Sequence, residues 1–259
     1  MGSLSLSRIM AVTSNTFREA LRQRILLGLV PFAIVLFGGG LLLRQISVFQ
    51  EVKILKDLAL AAMDLFGSFA AVVMGVDLVN REIERRSAYP ILARPLLRSE
   101  FVVGKFFGLV AALGVNLVLM TLLLAIALWA MGSEMTAGFL PAPYGIFLTL
   151  VLTIALALFF SVITNSILAF TFTIVMVIAG RFSDVVRNMA EVLPDIPRAV
   201  PQALALALPN LQNFDFKLRA VYSDPIDPNV LVLVTLYAGF YCMVVLALSV
   251  MAFEKKELV

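Results

Sequence analysis

The sequence contains no histidine and one cysteine, Cys242, and only 14% of its 259 residues are charged. Without histidine the chain has no residue that titrates near neutrality in its ordinary state, and none of the commonest metal ligands. A single cysteine inside an apolar run cannot close an internal disulfide and says little about redox compartment. Neither a cysteine pair nor an acid–base cluster occurs within the apolar runs, so an intramembrane enzyme is disfavoured. A phosphate-binding loop is also missing: Gly104-Lys105 is followed by Phe106 and lacks the preceding glycine that cradling a phosphate requires. No cofactor is therefore expected in this chain. The net charge of +3 is small and its charges are segregated, so no nucleic-acid partner is implied.

Apolar residues are what the chain has in plenty. They make up 61% of it, with a mean hydropathy of +1.01, against about 45–50% in soluble domains. This composition is that of an integral membrane protein. Residues 5–24 form an amphipathic segment in which Ile9, Thr13, Phe17 and Leu21 share a face, Met10 and Ala20 lie beside it, and Arg8, Arg18, Glu19 and Arg22 lie off it. The pattern predicts a helix along the cytoplasmic membrane surface. The apolar run that follows is too long for a signal peptide, and no small-residue cleavage pattern comes after it.

Six spans are expected, over about 25–43, 58–79, 101–131, 144–163, 166–182 and 230–253. Residues 144–180 are nearly uninterrupted apolar sequence; as one helix they would reach roughly 55 Å, far more than a bilayer needs. A turn at Thr164-Asn165-Ser166 divides them into two spans, each just long enough. Residues 44–57 read as a mixed-charge outer connection and 183–229 as a proline-rich extracytoplasmic segment, within which 199–211 is apolar but too short to cross. Both termini are then cytoplasmic. Two polar residues fall inside spans. Asn116 reads as contact between helices, and Asp64 as a carboxylate near the interface, paired to Arg44, with a role in a substrate pathway as the alternative.

The most informative stretch is 80–100, which lies between the second and third spans. It carries Arg81, Arg85, Arg86, Arg94 and Arg98, a density that places it on the cytoplasmic side. Its centre is nevertheless apolar, with Tyr89, Pro90, Ile91 and Leu92 followed by Pro95 and Leu96. Ser87 can cap a short helix that tolerates Pro90 in its first turn and stops at Pro95. Such a tip either docks into a partner or rests on lipid headgroups with its arginines on anionic lipid.

Residues 17–29 (FREALRQRILLGL), residues 75–108 and the tail FEKKEL resemble the type-2 ABC-transporter permeases, in particular the branch linked to maturation of multicopper enzymes and nitrous-oxide reductase. The family pattern of an acidic run, an L-x-x-P-x-x-R segment and a Gly-Lys pair is matched by Glu82 and Glu84, by Leu92, Pro95 and Arg98, and by Gly104 and Lys105. The resemblance implies an all-α polytopic protein with six transmembrane helices, an N-terminal interfacial helix, a cytoplasmic coupling helix and extracytoplasmic helices before the last span. It implies that Glu82, Glu84, Arg85, Tyr89, Ile91, Leu92, Arg94, Pro95, Leu96 and Arg98 contact a separate ATPase, aided by Phe17, Arg18 and Arg22 of the interfacial helix. ATP and magnesium would be bound by that partner, in a complex of two permeases, identical or different, and two ATPase subunits. The location implied is a bacterial-type inner membrane, with room for an extracytoplasmic partner. The alternatives are a secondary carrier, for which only Asp64 is a candidate pathway residue, and a membrane scaffold or assembly factor without transport.

Overall fold

The computed structural model describes residues 2–24, 26–46, 51–84, 98–133, 137–183, 185 and 208–255. Among them every regular element is helical: α1 (Gly2–Arg24), α2 (Leu26–Ile46), α3 (Glu51–Glu84), α4 (Arg98–Ala130), α5 (Pro141–Ile163), α6 (Ser166–Arg181), α7 (Lys217–Tyr222) and α8 (Pro228–Lys255). Short 3₁₀ turns cover Ala137–Phe139 and Leu211–Phe214. Stretches within α3, α4, α5 and α8 are long and apolar enough to cross a membrane, whereas 28–41 and 166–181 are shorter apolar helices.

The break between α5 and α6 falls where the sequence places a turn. Thr164 leaves the helix in an extended conformation, and the Asn165 side chain accepts a hydrogen bond from the Leu168 amide to cap α6. That bond satisfies one of the donors every helix start leaves open. At its other end α5 opens on Pro141 and Pro143, which a first turn accepts because those amides have no helical partner. The boundary that differs most from expectation is that of α3. Residues 51–57, read as part of a connection, are its first two turns. Hydropathy marks where an apolar run begins, not where a helix does; here Lys53, exposed in the first turns, lies over the ring of Tyr222.

Helix α5 is the centre of the bundle, buried along most of its length. It packs on α3 with Gly67 against Leu150 and Gly75 against Ala157, so the two helices run in the same direction. Helix α2, which leads into α3, runs antiparallel to it, with Gly39 beside Leu58 and Gly28 beside the Phe66 carbonyl. Of the four long apolar helices α8 is the least covered, showing Leu233, Leu236, Phe240 and Met243 to its surroundings, as expected of residues whose solvent is lipid.

Apolar patterning lays α1 flat along the membrane surface; the structure instead packs it along α4, a helix long enough to cross the membrane, because glycines there open a seat for it. Val12 and Thr16 sit on Gly104 and Gly108 of α4, and the Thr13 hydroxyl donates to the Gly104 carbonyl at 3.2 Å. The register advances by four on both helices, so α1 runs lengthwise beside α4 in the same direction. A Cβ on Gly108 would lie 2.6 Å from that of Thr16, which is why only a small residue permits this approach. Thr16 and Ala20 are fully buried, Phe17 and Leu21 pack partly against the core, and Met10 is exposed. The packed face is therefore the small-residue side of the expected apolar stripe. Replacing Gly108 by leucine should pry α1 from α4, seen as faster protease cleavage within residues 1–24, while Gly38→Leu, where nothing lies within 4 Å, should change little.

Candidate functional site

At the end of the bundle where α5 begins and α6 stops, one carboxylate gathers two cations from distant parts of the chain. Asp64 of α3 accepts from the two terminal guanidinium nitrogens, Nη1 and Nη2, of Arg181, the last residue of α6, at 2.5 and 2.7 Å. The fork-to-fork geometry is the strongest that an arginine and a carboxylate make. The Lys217 ammonium, in the first turn of α7, donates to the same carboxylate at 2.6 Å. Arg181 also donates to the Ser68 hydroxyl at 3.1 Å, and Lys217 lies 3.3 Å from Asp215. Asp64 and Ser68 are one helical turn apart, so both present to Arg181 from one face of α3.

Together with Ile146, Thr149, Leu211, Gln212 and Phe214, these charged groups line a cavity of about 220 Å³. It is large enough for several waters. The Asp64 side chain is only 7% exposed, while those of Lys217 and Arg181 are 18% and 34% exposed, so the cluster is buried on its acidic side and wetted on its basic side. Asp64 is level with Ile146 and Thr149, the second and third turns of α5, within about 12 Å of that helix's start. It therefore lies toward one end of the bundle, not at its middle.

Residues 208–222 form a strap over this end. The Asn210 amide donates to the Tyr237 hydroxyl at 2.9 Å, and the Phe214 ring lies 6.0 Å from that of Tyr237. The Phe214 carbonyl presses on Gly145, where any Cβ would collide with it. Gly145→Val is therefore expected to lift the strap from α5, read as increased hydrogen exchange at residues 211–216.

Asp64 is thus paired, as the sequence suggests, but its partners in the structure are Arg181 and Lys217; the Arg44 side chain lies outside the described residues. The cluster was not legible beforehand because its members lie 117 and 153 positions apart. The available signal was charge: an arginine closing an apolar helix and an acid inside another each call for a partner. Asn116 is buried in α4, close to Gly28 of α2, a contact between helices. Phe17 packs partly on the core while Arg18 and Arg22 are exposed. The residues expected to touch an ATPase fall elsewhere. Arg85, Tyr89, Ile91, Leu92, Arg94, Pro95 and Leu96 lie outside the described residues, as do the side chains of Glu82, Glu84 and Arg98. What is described beside them is the first part of α4, where Arg8 of α1 approaches Glu100 at 4.0 Å.

No metal-ligating cluster occurs among the described residues. No curated protein is significantly similar to this chain. The sequence profile of the family described as "ABC-2 family transporter protein" matches residues 10–258, almost the whole chain. With that match and several apolar helices long enough to cross a bilayer, the chain belongs to the ABC-2 family of transporter proteins: it is an integral membrane permease subunit of an ABC transporter.

Proposed function

We propose that this permease has six spans with both termini in the cytoplasm, and that it transmits the ATP hydrolysis of a separate ATPase subunit into movement across a bacterial-type inner membrane. The observation that carries this reading is the family match over residues 10–258 in a sequence with no phosphate-binding loop of its own. A transporter of this family without that loop needs its ATP chemistry from a partner. The segment assigned to that contact is 80–100, with Tyr89, Ile91, Leu92 and Leu96 as apolar anchors and Arg85, Arg94 and Arg98 around them; Glu82 and Glu84 lead into it. Phe17, Arg18 and Arg22 complete the surface. The packing of α1 on Gly104 and Gly108 ties the N-terminal helix to the helix that leaves the loop, with Arg8 nearest the loop's exit and Phe17, Arg18 and Arg22 further along α4.

The working complex in this reading holds two permeases, identical or paired with a homologous chain, and two ATPase subunits carrying ATP and magnesium. Its outer face, including 183–229, is available to an extracytoplasmic partner, and the branch resemblance favours mechanical or export work connected with metalloenzyme maturation. A secondary carrier is less well supported, since Asp64 is already held by two cations near one end of the bundle.

Sidedness tests the reading. With Cys242→Ser as background, a cysteine at the exposed position Asp224 should react with a membrane-impermeant thiol reagent from the outside only, and one at the exposed Asn15 from the cytoplasm only. Labelling of position 224 from the cytoplasm would put loop 80–100 out of reach of any cytoplasmic ATPase and end the proposal.

A further inference from the structure

We propose that Asp64, Arg181 and Lys217 form a releasable latch that holds the 208–222 strap over the end of the bundle. Arg181 joins α6 to α3 directly, whereas Lys217 is the ionic link from the strap to α3. Removing the ammonium leaves the Asp64–Arg181 pair intact and frees the strap alone.

Three features distinguish a latch from a permanent clip. Lys217 makes a charged contact with α3, whereas most of the strap's seat is apolar, through Leu211, Phe214, Phe216 and Val221, all buried; Lys53 over the exposed Tyr222 ring adds a cation–π contact at the strap's far end. An apolar contact that opens exposes hydrocarbon to water at a penalty proportional to its area. An ion pair that opens toward water exchanges one solvation for another, so its net contribution is modest when both states are wet. Water is at hand on the basic side: Arg181 and Lys217 are partly exposed, and the cavity adjoins all three residues. Lys217 also has a second acceptor in Asp215, 3.3 Å away and half-exposed on the strap itself. When the strap lifts, Asp215 travels with Lys217 and neutralises it, while Arg181 stays on Asp64. No buried charge is stranded in the open state, and this is the property that makes the contact reversible.

The inference rests on the permease reading only for what drives the latch; its geometry concerns this chain alone. Thr149 lines the cavity beneath the strap and is buried, so Thr149→Cys in the Cys242→Ser background reports opening through its reaction with a small water-soluble thiol reagent. Lys217→Met should raise that rate about tenfold. Lys217→Arg should leave it near the parent value, as should Arg219→Met, which removes an exposed cation from the same short helix. Lys217→Gln, which also removes the charge and leaves the Asp64–Arg181 pair in place, provides a second release if Lys217→Met accumulates poorly. Equal rates in parent, Lys217→Met and Lys217→Gln would overturn the latch, and so would equal acceleration by Arg219→Met, which would mark general loosening. In native membranes where ATP hydrolysis by the partner is first confirmed, ATP should accelerate labelling at position 149 in the Thr149→Cys reporter with its latch residues intact. Indifference to ATP there would make the contact a fixed clip and end the proposal while leaving the permease reading standing.

Discussion

Replacing Ile91 and Leu92 together by alanine is expected to weaken binding of the ATPase subunit by two or more orders of magnitude while leaving membrane insertion intact. Burying a side chain of this size contributes roughly 1.5–3 kcal/mol, and every 1.4 kcal/mol or so is tenfold in affinity. The two losses need not add, since neighbouring residues share a pocket. Arginines at a hydrated rim, such as Arg94 and Arg98, should matter less individually, because exposed ion pairs contribute about 0–1 kcal/mol. The competing account, a loop that rests on lipid headgroups, leaves ATPase binding unchanged by the double substitution. Pull-down of the ATPase separates the two, and full retention would remove the coupling assignment however well the motif resembles the family.

Asp64→Asn should be the most damaging single change in the Asp64–Arg181–Lys217 cluster. It takes the carboxylate from Arg181 while Lys217 keeps Asp215, and breaking a buried pair by removing one partner costs about 3–5 kcal/mol. With Arg181 one-third open to solvent, the lower end applies. A loss of about 3 kcal/mol corresponds to roughly 6–12 °C in apparent unfolding temperature for a chain of this size. Lys217→Met should lower it by much less, since Arg181 still neutralises the carboxylate. The triple change Asp64→Leu, Arg181→Met and Lys217→Met should recover most of the stability lost in Asp64→Asn, because well-packed apolar replacements of a buried charge cluster are often neutral. Thermal unfolding of the detergent-purified chain gives this order directly; an Asp64→Asn shift no larger than that of Lys217→Met would contradict it.

How far the sequence could be read follows from the range of the signal. Apolar run length places helices where they are found, and local chemistry places the Thr164-Asn165 break, because a cap is decided within three residues. Signals that act across the chain are silent in one sequence. Nothing in the neighbourhood of Asp64 points to Arg181 or Lys217, and the lengthwise contact of α1 on α4 depends on Gly104 and Gly108, whose significance is the absence of a side chain. Hydrophobic patterning draws the α1 face through Ile9, Thr13, Phe17 and Leu21 with Ala20 beside it, and misses Thr16, which is fully buried along with Ala20. The expected start of α3 is late for a related reason: Glu51, Lys53 and Lys56 look like a loop because their charge interrupts the apolar run, although the helix already includes them.

The account stands on one claim above the others, that this permease works through an ATPase it does not contain. Isolating the wild-type chain from its native membrane in mild detergent, and measuring magnesium-dependent ATP hydrolysis of the isolate, tests that claim most directly. The predicted result is a co-purifying subunit with a phosphate-binding loop, in about one-to-one ratio to the permease, whose hydrolysis is present with wild type and lost from the Ile91→Ala, Leu92→Ala isolate. A wild-type chain that purifies without any ATP-binding protein, yet still moves a solute or supports assembly on its own, would contradict the account.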